Sequence, residues 1–225
     1  GALFAYWMLM HARKQGKISL TTEEISDFIS WLVAGVLIGS RLFYVVFYNP
    51  LFYIENPLKI LAVWEGGMSF HGGFVGIVLA AFIFCRRKKI EFMSLADILA
   101  APLMLALALV RVANFINGEL WGTPINLRWC VVFPAADDVC RHPYQLYEGV
   151  KRFALVGWLA YLGQKILPTG YVFWNLVFFE GLGRFVLDFF LDEFTVLFLT
   201  AGQWMSLVMI VVSGWMLWKN RSNEK

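Results

Sequence analysis

Residues 110–122 read VRVANFINGELWG and place an arginine, two asparagines and a glutamate on successive turns at the end of a long apolar run. On a helix Arg111, Asn114 and Asn117 or Gly118 share one face, because residues three and four apart are neighbours. A guanidinium on that face offers a planar fork of donors that suits phosphate or carboxylate. Gly118 and Gly122 favour a turn that lets Glu119 reach back. Asn114 and Asn117 could instead bond only between helices, as polar residues in membranes do. A second group is SFHGGFVG at 69–76. Here His71 can take or give a proton near neutral pH, and Gly72 and Gly73 let another backbone or a ligand come close. A third group is EGLGRFVLDFF at 180–190, where Glu180, Arg184 and Asp188 stand at i, i+4 and i+8 on one helix face. That ladder either neutralises Arg184 for burial or orients it toward a ligand. His142, in RHPYQLYEG, reads equally as a site residue or as a loop cap.

The elements that must carry these groups are membrane helices. Of 225 residues, 60% are hydrophobic and only 16% are charged, where a soluble domain carries about a quarter charged residues. The apolar runs are continuous and do not alternate with period two, which favours helices over a barrel. Seven runs are predicted, at 1–12, 25–48, 68–85, 94–116, 145–162, 171–190 and 201–218. The chain opens on Gly1 inside an apolar run without an initiator Met or a signal-peptide pattern, so the first helix reads as truncated. With no internal repeat visible, the expected architecture is one all-α domain over 1–225. It is a polytopic bundle of about seven helices with a polar outer loop at about 117–144.

Charge sets the orientation. The connections after helices 1, 3, 5 and 7 hold eleven Lys and Arg, and those after helices 2, 4 and 6 hold three. The positive-inside rule then puts the N-terminus outside and the C-terminus in the cytoplasm. A net charge of +3 with no basic stretch interleaved with aromatics excludes a nucleic-acid partner. Three cysteines without a C-x-x-C or Cys/His ligand spacing imply no metal, and no organic cofactor is implied either. Cys130 and Cys140 share the polar loop and could pair in an oxidising compartment.

Five basic residues fall inside the runs: Arg41, Arg111, Lys151, Arg152 and Arg184. Lys151 and Arg152 lie near the outer end of their helix and are expected to snorkel. An arginine at membrane depth costs at least ~2.5 kcal/mol and usually faces a bundle interior or a wet cavity. With the orientation above, Arg41, Arg111 and Arg184 all fall in the outer half of their helices. His71, Glu119, His142 and Glu148 lie at or beyond the outer helix ends. Three guanidiniums at one depth read as a site for an anionic lipid headgroup.

These groups, in this order, resemble the prolipoprotein diacylglyceryl transferase family. The resemblance is carried by GSRLFYVVFYN (39–49), VWEGGMSFHGG (63–73), RVANFINGELWG (111–122), RHPYQLYEG (141–149) and the helix around GRF (183–185). It implies a seven-helix enzyme of the bacterial inner membrane. Such an enzyme moves the diacylglyceryl group of phosphatidylglycerol to the lipobox cysteine of a preprolipoprotein, with no cofactor. The family pattern falls on His71, Arg111, Asn114, Glu119, Gly122 and Arg184. The expected roles are His71 as general base and Arg111 and Arg184 on the phosphate and leaving group. Asn114 and Glu119 would orient headgroup hydroxyls and Arg111, and Asp188 would orient Arg184 beside the lipid. Gly122 shares the substrate-binding motif, and Arg41 serves helix packing or the headgroup rim. The chain departs from the family at Val110 for Gly, Glu180 for Tyr and Asp188 for Glu. Competing readings are a proton-coupled transporter or lipid flippase, which would spread its polar groups to the midplane or to both faces, and a non-catalytic, truncated lipid-binding relative.

Overall fold

The computed structural model describes residues 2–193 and 195–222. Gly1 and Lys225, which entered the first run and the charge count, lie outside the described residues, and so does the side chain of Arg221. The chain is mostly helical, and its contacts divide it into two compact units, residues 2–95 and the residues from Ala96 onward.

The first unit holds α1 (Ala2–Lys14), α2 (Thr22–Phe47), a short α3 (Pro50–Glu55), two 3-10 turns (Pro57–Leu61 and Val63–Glu65) and α4 (Phe70–Lys88). Thr21 starts α2 with a capping box: its hydroxyl accepts from the Glu24 N–H, and the Glu24 carboxylate accepts from the Thr21 N–H. Glycines let α2 and α4 touch backbone to backbone. A Cβ on Gly72 would stand 2.3 Å from the Gly39 carbonyl oxygen, and one on Gly76 would stand 2.1 Å from that of Gly35. Two small-xxx-small pairs therefore face each other, the arrangement that lets membrane helices associate without a hydrophobic driving force. Of the two readings of the His-Gly-Gly segment, the approaching group at Gly72 is thus another backbone.

The second unit contains most of α5 (Phe92–Asn117), then α6 (Tyr144–Leu162), α7 (Tyr171–Leu187) and α8 (Ala201–Ser222). Its core joins Ala100, Ala101 and Met104 of α5 to Leu155, Leu159 and Leu162 of α6 and to Val172 and Leu176 of α7. The Asp97 carboxylate accepts the N–H groups of Gly170 and Phe173, each at 2.7 Å, and so caps the start of α7. Two antiparallel hairpins decorate the connections: β1 (Val131–Val132) with β2 (Cys140–Arg141), and β3 (Thr195–Val196) with β4 (Leu199–Thr200). Cys130 and Cys140 form a disulfide beside the first hairpin, with a Cα–Cα distance of 5.4 Å.

Each predicted apolar run coincides with a helix, and α3 is additional. The sixth run stops being α-helical at Leu187 and continues as a 3-10 turn, Asp188–Phe190. Among the described residues, Thr22–Phe47, Phe92–Asn117 and Ala201–Asn220 are long and apolar enough to cross a membrane.

Candidate functional site

In the second unit, buried charges from α5, α6 and α7 form one network. Glu148 of α6 has no exposed side-chain surface. It meets Lys151 Nζ at 2.7 Å, Arg152 Nη2 at 2.8 Å and Arg111 Nε at 3.8 Å. Across on α7, Glu180 takes Arg152 Nε at 3.0 Å, Arg152 Nη2 at 2.5 Å and Lys151 Nζ at 3.0 Å. Arg152 also donates to the Leu107 carbonyl at 3.3 Å. Burying these charges is tolerable because they are paired across helices.

Arg111 is the least satisfied member. Its side chain is only 12% exposed, its Nε is buried without a hydrogen-bond partner, and 3.8 Å to Glu148 is an ion pair without a hydrogen bond. Its guanidinium carbon lies 6.0 Å from the ring centroid of Tyr144. Tyr144, itself buried, donates its hydroxyl to Asp188 Oδ1. The other Asp188 oxygen holds Arg184 Nε at 3.3 Å. One tyrosine thus links the two arginines that the sequence singled out. Arg184 keeps 39% of its side chain exposed, whereas Asp188 is buried. Gly202 leaves room for this pair, since a Cβ there would stand 2.4 Å from Asp188 Oδ2 and 2.8 Å from Arg184 Nη2.

The expected ladder on α7 therefore splits. Among the described residues Arg184 pairs with Asp188, while Glu180 turns to Arg152 and Lys151 of α6. Snorkelling is also overturned for α6: Arg152 is 4% exposed and drawn inward by two carboxylates. The sequence placed Glu148, Lys151 and Arg152 near the outer end of α6 without their pairing, and it missed Tyr144 and Gln145. Glu148, Lys151 and Arg152 stand at i, i+3 and i+4, a spacing that marks an ion-paired helix face. Fully buried Gln145 donates to the Glu119 carbonyl.

The segment 111–122 is organised mainly by its own atoms. Asn114 Nδ2 donates to Glu119 Oε2 at 3.0 Å, and the Glu119 N–H donates to the Asn114 carbonyl at 2.9 Å. Gly118, at φ 68°, makes that turn possible. Gly122 is a packing position: a Cβ there would come 2.5 Å from the Phe190 carbonyl oxygen and 2.6 Å from His142 Cβ. The loop beyond it is locked by Arg141, which bridges Asp137 and Asp192 at 2.6 Å each. The guanidinium of Arg141 holds the Asp137 carboxyl below its ordinary range. Burial pushes the pKa of His142 down, and its Nδ1 lies 3.0 Å from the Tyr147 hydroxyl. The ring is thus held between Tyr147 and Phe190 and, among the described residues, caps no backbone group of α6.

In the first unit, Arg41 is 4% exposed and all five of its N–H groups meet main-chain carbonyls. Nε donates to Ile60 at 2.9 Å, Nη1 to Gly66 and Gly67, and Nη2 to Lys59 and Ala62. Its charge also lies over the Tyr53 ring, at 5.2 Å. Every donor of Arg41 is thus committed to the main chain of residues 59–67. His71 sits on the first turn of α4, is exposed, and stacks on Phe43 at a centroid distance of 6.3 Å.

The family model for prolipoprotein diacylglyceryl transferase matches residues 1–219. A phosphatidylglycerol–prolipoprotein diacylglyceryl transferase of Geobacter sulfurreducens is 43% identical over 203 residues, covering 90% of this chain and 78% of the relative. The like-named proteins of Brucella anthropi and Bordetella avium are 39% and 41% identical, covering 100% and 92% of this chain and 86% and 82% of their own lengths.

Proposed function

The chain belongs to the prolipoprotein diacylglyceryl transferase family, and from that premise we propose how its own residues carry the reaction. It is a membrane transferase that moves the diacylglyceryl group from phosphatidylglycerol to the lipobox cysteine of a preprolipoprotein. The finer placement is a bacterial inner-membrane enzyme of seven spans and one transferase domain, its N-terminus outside.

The cysteine sulfur attacks the glycerol carbon that bears the phosphate ester. A C–S bond forms, the C–O bond breaks, and its electron pair leaves with glycerol phosphate. A free thiol with a pKa near 8.5 needs a base. His71 takes the thiol proton, the role its motif implies. Negative charge grows on the departing phosphate, so fixed cations must face it. Arg184, partly exposed and aimed by Asp188, and Arg111, largely covered and under-bonded, supply them. Asn114 and Glu119, already paired with each other, present polar edges to the headgroup hydroxyls.

The single observation that carries the reading is the charge balance around Arg111. Three cations share two carboxylates, which leaves one positive charge, and the residue with the fewest hydrogen bonds is the family arginine. An anionic headgroup supplies the missing partner. The test is transfer of label from the diacylated glycerol of phosphatidylglycerol to a lipobox peptide, beside the same peptide with its cysteine changed to serine. Label on the cysteine peptide alone is expected; label on neither peptide, from protein that still binds the lipid, contradicts the reading.

A further inference from the structure

The surplus charge on Arg111 is set by its neighbours Glu148, Lys151, Arg152 and Glu180. Glu148 lies within ion-pair reach of three cations, and Lys151 and Arg152 divide themselves between it and Glu180. Arg152 is bound at shorter range to Glu180, through two nitrogens, than Arg111 is to Glu148. Because Glu180 shares Arg152 and Lys151 with Glu148, part of the Glu148 charge is left for Arg111 at 3.8 Å. Without Glu180, both α6 cations would fall back on Glu148 and crowd Arg111 by like-charge repulsion. Without Arg152, the two carboxylates would neutralise Lys151 and Arg111 completely.

We propose that the cross-helix Arg152–Glu180 pair, with Lys151, fixes the net charge beside Arg111 at one positive unit and thereby tunes how tightly the anionic headgroup is held. These are positioning residues acting through Glu148 and Arg111. The inference rests on the headgroup reading above and adds which buried residues set the affinity. Residues that only hold helices together would lower folded yield whichever charge was removed. A charge-setting pair makes a different prediction, because removing a cation and removing an anion must move affinity in opposite directions.

The experiment measures the affinity of purified protein for radiolabelled phosphatidylglycerol in neutral detergent micelles, with thermal unfolding followed in parallel. Arg152→Gln and Lys151→Gln, each taking the cluster to zero, are expected to weaken binding on the order of tenfold, the effect of one unit charge across about 12 Å at an effective dielectric of about 20. Glu180→Gln, taking it to plus two, is expected to tighten binding. The double variant Arg152→Gln with Glu180→Gln restores plus one and is expected to bind within about threefold of the parent, as coupled neighbours do in a double-mutant cycle. Arg152→Lys and Glu180→Asp keep the charge, so they serve as the folded comparison and are expected to bind like the parent. Lys151→Gln, at the edge of the cluster with 16% of its side chain exposed, carries the test if a fully buried variant does not fold. Shifts in the same direction for opposite charge changes, no shift, or no recovery in the double variant overturn the inference. Failure of the parent to transfer label to the lipobox cysteine overturns the functional reading instead, and the affinity series remains decisive for the charge mechanism.

Discussion

Arg41 and Arg111 are the same residue type, each buried in a helix of an apolar chain, yet their surroundings differ in kind. In residues 2–95, Arg41 spends all five donors on the carbonyls of 59–67 and holds that connection together. In the unit that begins at Ala96, Arg111 has an Nε without a hydrogen bond and shares a carboxylate with two competitors. The fold satisfies the first guanidinium, and the second keeps bonding capacity that the proposed function assigns to the headgroup. Membrane depth alone does not separate them; hydrogen-bond satisfaction does.

The largest expected effect sharpens the ligand side of that contrast. Arg184→Ala should lower transfer about a hundredfold, or about 3 kcal/mol, if its contact matters chiefly as the phosphate leaves. Its half-exposed position predicts little change in thermal unfolding. Transfer within a few fold of the parent would break the contrast from this side. Next is Arg41→Ala, which strips the partner from five carbonyls at once. Stability should drop by about 2 kcal/mol in denaturant titration, since a buried acceptor left unmet costs about 1–3 kcal/mol and water reaches some of this loop. Transfer per folded molecule should stay within about threefold. Gly72→Ala should then cost about 1–2 kcal/mol by forcing α2 and α4 apart, read in the same titration. The smallest effect is on pH.

That pH effect concerns the disulfide-bearing loop. Burial holds the pKa of His142 below its ordinary value of 6.5, so the fold favours the neutral ring. Its contribution to loop stability is complete above about pH 6.5 and is lost as the pH falls through the lower folded value. The Asp137–Arg141 bridge persists through that range, because the Asp137 carboxyl is held below its ordinary 3.8. Hydrogen-exchange protection across 120–142, corrected for the slower intrinsic exchange in acid, should therefore fall between pH 7.5 and 5. Equal protection at both values would count against a buried neutral His142.

Much of this was legible in the sequence, for physical reasons that also explain the gaps. Long apolar runs broken by charge read directly as helices, and all seven appear. α3 was missed because six residues between Asn49 and Asn56 are too short to show a period. Arg111 and Arg184 stood out because a membrane tolerates few arginines. Their link through Tyr144 did not, since it joins α5, α6 and α7 and leaves no mark in local spacing. Glu180 was read along its own helix, where Arg184 is four residues away, but its stronger partners lie on α6. The inward turn of Lys151 and Arg152 was hinted at by Glu148 three and four residues before them. Of the facing pairs Gly35/Gly39 and Gly72/Gly76, only Gly72 was singled out from sequence, because pairing small residues across two helices needs their register.

The most direct measurement sets the two arginines side by side: transfer kinetics of Arg111→Ala and Arg41→Ala, each normalised to folded protein, with phosphatidylglycerol as donor. Loss of about a hundredfold for Arg111→Ala with near-parental unfolding, and loss of stability with near-parental transfer for Arg41→Ala, is the predicted result. Equal loss of transfer in the two folded variants would contradict it, because hydrogen-bond satisfaction would then fail to distinguish a structural arginine from one that holds substrate.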